Sequence, residues 1–348
     1  MVSQSTAPPA APLESPAHHH AARAFAGGAG EQAPPARVAT AAAEPRIPAE
    51  LRTLYPFSSH WFRTPGGAQM HYLDEYGQGG EGREGMPHTA SAEAVLMLHG
   101  NPTWSFYYAQ LVQALSPALR CIVPDHIGMG LSEKPENYSY RLQTRIDDVA
   151  ALVAQLGLRR VHLVVHDWGG AIGFGLAARH PELIGRIVVL NTAAFPSPRI
   201  PARIALCKAP LFGPLIVRGL NGFAWPALSM SMARRRLSAL EKRALLLPYD
   251  SWGSRVAVSG FVRDIPMRES HPSWPALKGA EQGIFRFKNH PALILWGGHD
   301  FCFNVAFYDE WKKRLPQAEA HFLADAGHYV LLDAAEEILP RITRFLCA

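Results

Sequence analysis

From Leu51 onward, short apolar runs alternate with stretches of helical spacing. Residues 69–74 alternate apolar and polar positions, which predicts an antiparallel strand. Residues 77–90 are rich in glycine and charge and read as a surface loop. Residues 94–98 form a near-continuous apolar run, the mark of a strand buried on both faces. Further strands are predicted over 121–123, 161–165 and 187–190, with helices over 105–115, 145–156 and 169–179. In the second of these helices Ile146, Val149, Ala150 and Val153 share one face. Repeated strand-then-helix units predict an α/β fold, with a mostly parallel central sheet and helices on both faces.

Near Asn191 the alternation stops. Residues 194–285 hold apolar helical stretches but no clear strand, punctuated by Pro196, Pro198, Pro201, Pro210, Pro214 and Pro226. A buried strand then resumes over 292–296, followed by a helix over 305–314, a strand over 318–323 and a closing helix over 334–345. The expected organisation is a core in two pieces, 51–193 and 286–348, with 194–285 inserted as a helical cap. Such a cap sits over the carboxyl edge of the sheet, where open α/β sheets bind their ligands.

Residues 1–50 have no apolar period and are about half alanine plus proline, so they read as a disordered tail. They lack the apolar run of a secretory signal, and the His18-His19-His20 run reads as solvated. Over the whole 348 residues the net charge is +5 and 48% of positions are hydrophobic, ample for a packed core. Basic residues do not interleave with aromatics, which argues against nucleic-acid binding. The most apolar window, 211–232, is broken by Pro214, Arg218 and Pro226, so no transmembrane span is expected. Cys121, Cys207, Cys302 and Cys347 make no zinc or redox spacing, which points to free thiols and a cytoplasmic protein. Arg234-Arg235-Arg236, with Lys242 and Arg243, is a candidate contact for a membrane surface or a partner protein. The ordinary reading of such a run is a solvated helix face.

The chemistry gathers at four strand ends. In Val164-Val165-His166-Asp167-Trp168-Gly169-Gly170 a strand runs straight into a helix at Asp167. That is the layout of a nucleophile elbow, with aspartate where serine is familiar. An aspartate lifted above the sheet can attack carbon and form an enzyme ester; the plainer reading is a helix N-cap. His99-Gly100-Asn101-Pro102-Thr103-Trp104 follows the strand whose loop supplies half of an oxyanion hole in this layout. The backbone N–H of Trp168 would supply the other half, and the Asn101 and Trp168 side chains add donors for an oxyanion or leaving group. His328, in Asp325-Ala326-Gly327-His328-Tyr329, stands where the base of such a triad belongs. Asp300, in Trp296-Gly297-Gly298-His299-Asp300, stands where the acid that orients the base belongs. Asp325 is a rival acid whose nearness to His328 fits a turn former, and His166 points away from the nucleophile along its strand.

These motifs resemble the haloalkane dehalogenase and epoxide hydrolase branch of the α/β-hydrolase superfamily, over residues 51–348. Further strings resemble the β-lactone decarboxylases of bacterial long-chain olefin biosynthesis: Pro124-Asp125-His126-Ile127-Gly128, Pro248-Tyr249-Asp250-Ser251-Trp252, Arg263-Asp264-Ile265-Pro266 and Gly327-His328-Tyr329-Val330-Leu331. The resemblance implies a decarboxylase that turns a cis-dialkyl β-lactone into a cis olefin and carbon dioxide. It implies Asp167 as nucleophile, His328 and Asp300 as its partners, Asn101 and Trp168 around the charged oxygen, and no metal or organic cofactor. It also implies assembly with other olefin-forming enzymes. The alternative within the branch is haloalkane dehalogenase chemistry. Epoxide hydrolases of this branch use two cap tyrosines, whereas residues 194–285 contain only Tyr249. Some dehalogenases place the acid after the strand before the cap; here that strand ends Leu190-Asn191-Thr192, with no carboxylate, which leaves Asp300. Either ring carbon of the lactone is open to attack.

Overall fold

The structure is a computed structural model that describes residues 47–77 and 92–348. The predicted tail, except for its last four residues, and the predicted loop beyond Gly77 lie outside the described residues. Among the described residues there are eight strands: β1 (His60–Arg63), β2 (Gln69–Glu75), β3 (Glu93–Leu98), β4 (Cys121–Pro124), β5 (Arg160–Asp167), β6 (Ile184–Thr192), β7 (Ala292–Gly297) and β8 (Glu319–Leu323). They form one sheet in the order β1-β2-β4-β3-β5-β6-β7-β8. β1, β2 and β4 pair antiparallel, and every pairing from β4 through β3 to β8 is parallel. This is the mostly parallel α/β sheet that the strand-then-helix pattern predicts. β1 has no counterpart in the sequence reading.

The helices up to the end of β6 are α1 (Ala109–Leu115), α2 (Leu142–Gln155) and α3 (Trp168–Arg179). Between β6 and β7 the described chain is helical: α4 (Ala202–Lys208), the single turn α5 (Phe212–Pro214), α6 (Ala224–Met230), α7 (Ala239–Leu246), α8 (Val256–Arg263) and α9 (Trp274–Ile284). The chain closes with α10 (Val305–Arg314), the short α11 (Val330–Asp333) and α12 (Ala335–Cys347).

Alternation along the central strands divides their side chains between two helical layers. Val95, Met97, Val164, Val188, Leu190, Leu293 and Leu295 join the core beneath α1 and α12. Leu98, Leu163 and Val165 face the other way, against Gly173 of α3. α3 can lie this close because its contact positions are glycine: Gly173 meets the sheet and Gly175 meets Ile146 of α2. Gly283 of α9 meets Ala178 of α3 in the same way. α12 buries Ile338, Ile342 and Leu346, one residue per turn.

The helices between β6 and β7, called the cap below, are anchored at two places. Ala227, Leu228, Leu237, Ala244 and Leu245 extend the main core. A second apolar cluster lies within the cap, where Ile204, Val217, Tyr249, Val258, Phe261 and Val262 pack with Met129. A buried ion pair adds to this: Arg145 of α2 reaches Asp264, just after α8, at 3.3 Å. Asp264 also accepts from the Leu142 backbone at 2.7 Å and from Ser273 Oγ at 2.6 Å. No helix among the described residues is long and apolar enough to cross a membrane.

Candidate active site

Asp167 is the last residue of β5 and precedes α3, at φ 51 and ψ −122. A non-glycine residue holds such a backbone only where its surroundings impose it. Three glycines make room. A Cβ on Gly100 would strike the Asp167 carboxylate, one on Gly169 the Leu98 carbonyl, and one on Gly170 the Thr192 side chain. Thr192, at the tip of β6, donates its hydroxyl to the Asp167 carbonyl. The side chain is thereby lifted above the parallel strand ends, the nucleophile elbow read from the sequence.

The loop after β3 brings Asn101 over the carboxylate. Asn101 N donates to Asp167 Oδ1 at 2.7 Å, and the Trp168 N–H donates to the same carboxylate. The two backbone donors therefore hold the nucleophile itself. Asn101 Nδ2 donates to the Val258 carbonyl of α8 at 3.0 Å, so this side chain is tied to the cap. The Trp168 indole lies edge-on to Phe261 and beneath the Arg145 guanidinium, at 4.8 Å.

His328 enters from the loop after β8. Its Nε2 is 3.9 Å from Asp167 Oδ2, and its Nδ1 donates to Asp300 Oδ2 at 2.7 Å. Asp167, His328 and Asp300 are 8%, 5% and 3% exposed. Asp300 is itself well held. Its Oδ1 accepts from the Cys302 and Phe303 backbones at 2.6 and 2.9 Å, and its Oδ2 from Asn191 Nδ2 at 3.0 Å. Asn191 also exchanges hydrogen bonds with the Gly297 carbonyl and N–H, at 2.9 and 2.8 Å. Burial raises the Asp167 pKa above the ordinary carboxylate value, against the lowering pull of His328 and the two N–H donors. Burial opposes the His328 charge, but the Asp300 carboxylate, its hydrogen bond and Asp167 outweigh it and raise the imidazole pKa.

All five residues singled out in the sequence thus meet at one place. Asp325 is exposed and bonds Arg234 at 2.7 Å, away from His328. His166 turns away from the nucleophile, as strand alternation predicts, and serves as scaffold for the base. Its ring centroid is 4.6 Å from that of His328, and its Nε2 donates to the His328 carbonyl at 3.0 Å, so it supports the base.

Sequence reasoning missed three supports. Asn191 was noted only for not being a carboxylate, yet a polar residue closing an apolar strand run at the sheet's active edge was a usable signal. Arg145 lies four positions before Val149, at the margin of an apolar helix face, which was a weaker one. Asp125 is fully buried and accepts from His71 Nδ1 at 2.9 Å, Ser105 N at 2.6 Å and Leu131 N at 2.9 Å. Beside it, His99 accepts from the His126 backbone at 3.1 Å and donates to Gly100 O at 2.8 Å. This network fixes the loop that carries Asn101, and only the fold brings its members together.

Two apolar cavities open beside Asp167. One is lined by Trp168, Phe195, Val262 and Leu277 among others, and the other by Ile216, Ala227, Met230 and Tyr329. The buried Tyr249 lines neither. The basic run is largely neutralised: Arg234 pairs with Asp325 and Glu337, and Arg235 with Glu241.

A family model described as alpha/beta hydrolase fold matches residues 93–219. A cis-3-alkyl-4-alkyloxetan-2-one decarboxylase of Shewanella oneidensis is 41% identical over 302 residues, covering 85% of this chain and 90% of the relative. A decarboxylase of the same name from Xanthomonas campestris pv. campestris is 40% identical over 303 residues, covering 84% and 97%. Among solved structures, a haloalkane dehalogenase from Bradyrhizobium elkani superposes with a TM-score of 0.72 at 28% identity, covering 83% of this chain and 97% of that one.

Proposed function

The chain belongs to the cis-3-alkyl-4-alkyloxetan-2-one decarboxylases of the α/β-hydrolase superfamily, and from that membership we propose how its residues carry out the reaction. The enzyme is a carbon–carbon lyase. Its substrate is a four-membered lactone with alkyl groups on neighbouring ring carbons. Loss of the ring carboxyl as carbon dioxide leaves those two carbons joined as an olefin.

Asp167 Oδ1 is held by the Asn101 N–H, and Oδ2 is the oxygen that faces His328, so we take Oδ2 as the attacking atom. It attacks the alkyl-bearing carbon next to the ring oxygen, from the face opposite that oxygen. The carbon–oxygen bond breaks, and its electron pair becomes a free carboxylate. The product is an Asp167 ester with the new carboxylate antiperiplanar to the ester bond. The carboxylate carbon then leaves as carbon dioxide. Its carbon–carbon electrons form the double bond, and the Asp167 carboxylate is expelled. Neither step consumes water or a net proton. Inversion followed by anti departure keeps both alkyl groups on one side, so a cis lactone gives a cis olefin. The N–H groups of Asn101 and Trp168 stabilise Asp167 both as nucleophile and as leaving group. His328, held by Asp300, acts as a cation beside the two carboxylates.

The observation that carries this reading is a desolvated aspartate, with Oδ1 held by the Asn101 N–H and Oδ2 facing His328, above apolar cavities. The test is olefin formation from a synthetic cis-dialkyl β-lactone, with a bromoalkane as the competing substrate. Wild type should release olefin, and Asp167→Asn should lower the rate by about three orders of magnitude or more. Bromide release without olefin would overturn the reading in favour of a dehalogenase. We place the enzyme in the cytoplasm, beside the enzymes that supply its lactone.

A further inference from the structure

The two cavities meet at the nucleophile and are otherwise lined by different residues. Both are lined by Asn101, Asp167, Ile204, Phe223 and Cys302, so they share the reacting centre. The first continues past Ile200, Val262 and Leu277. The second continues past Cys207, Ala227 and Met230. A substrate with a single chain needs one such apolar channel. A ring with cis alkyl groups on adjacent carbons sends two chains away from one small centre, and each needs its own apolar wall to leave water.

We infer that the cavities divide the substrate, one alkyl arm to each, with Ile204 and Phe223 at the fork. This rests on the decarboxylase reading above and adds to it the residues that set chain length. Leu277 and Ile200 limit one arm; Ala227 and Met230 limit the other. Neither pair touches Asp167, His328 or Asp300 in any hydrogen bond, so their effect is on which lactone fits.

The experiment uses two mirrored cis lactones, one with a decyl group at ring position 3 and methyl at position 4, the other with these exchanged. The readout is the ratio of kcat/KM for the two lactones, measured by olefin formation for wild type, Leu277→Trp and Ala227→Phe. Filling one cavity should move the ratio by about tenfold or more, and filling the other should move it as far in the opposite direction. Ile200→Trp and Met230→Trp, at half-buried positions, carry the same expectation should a substitution at Leu277 or Ala227 fail to fold. Ratios that shift in the same direction, or stay at the wild-type value in folded variants, overturn the division while leaving the decarboxylase reading intact. Olefin from neither lactone with wild type overturns both.

Discussion

Asn191 stands at the tip of β6, where a carboxylate is absent, and spends its amide on the triad acid instead. Its Nδ2 reaches Asp300 Oδ2 at 3.0 Å, and its other bonds fix the Gly297 backbone just ahead of that acid. Hydrogen bonds to charged groups contribute about 1.5–3 kcal/mol. Asn191→Ala should therefore lower unfolding free energy by about that amount in urea, with a further loss of rate as Asp300 loosens. The same residues set the pH dependence. Asp167 must be ionised, and its pKa is raised, so activity falls as pH drops through a value above the ordinary carboxylate range. His328 serves as a cation with a raised pKa, so activity falls again as pH rises through a value above the ordinary imidazole range. A base that activated water would do the reverse and lose activity as pH fell through the His328 pKa. A pH–rate profile on the lactone separates the two.

The turn from β5 into α3 depends on residues that have no side chain. Gly169 leaves no room for a Cβ against the Leu98 carbonyl, and backbone cannot step aside as a flexible side chain can. Gly169→Ala should cost about 1–3 kcal/mol in thermal or chemical unfolding. It should also lower olefin yield beyond the loss of folded protein, because the displaced helix carries Asp167 with it. At this scale the sequence was largely legible. Buried parallel strands read as apolar runs, and the predicted helix over 305–314 is α10 residue for residue. β1 was not legible, since four residues, His60–Arg63, three half-buried and the last exposed, give alternation too little length to register. His166 shows a second limit. Period-two alternation correctly turned it from the nucleophile, but could not say that the His328 loop would pass on its other side. The tie from the Asn101 amide to the cap was not legible for a similar reason, because its acceptor, Val258, lies 157 residues away.

Across the whole molecule, Arg145 and Asp264 join the core to the cap inside a buried site. Burial lowers the Arg145 pKa to about 10, and its guanidinium also lies 3.5 Å from the centre of the Phe261 ring. Removing one partner of such a pair strands a charge, at a cost of about 3–5 kcal/mol. Asp264→Ala should lose about that much in a denaturation experiment. It should also broaden the transition if the cap loosens before the core. The motif containing Asp264 was visible in the sequence, but not its partner 119 residues earlier.

The bond from Asn101 to Val258 has a consequence for how the scaffold can vary. One side chain belongs at once to the loop that steadies the nucleophile and to the roof over it. Because the acceptor is a backbone carbonyl, substitutions at Val258 leave the bond in place, and only a cap seated at a different position on the core would lose it. Single replacements along the cavity walls therefore leave the tie between loop and roof intact, whereas a shift of the whole roof would break it.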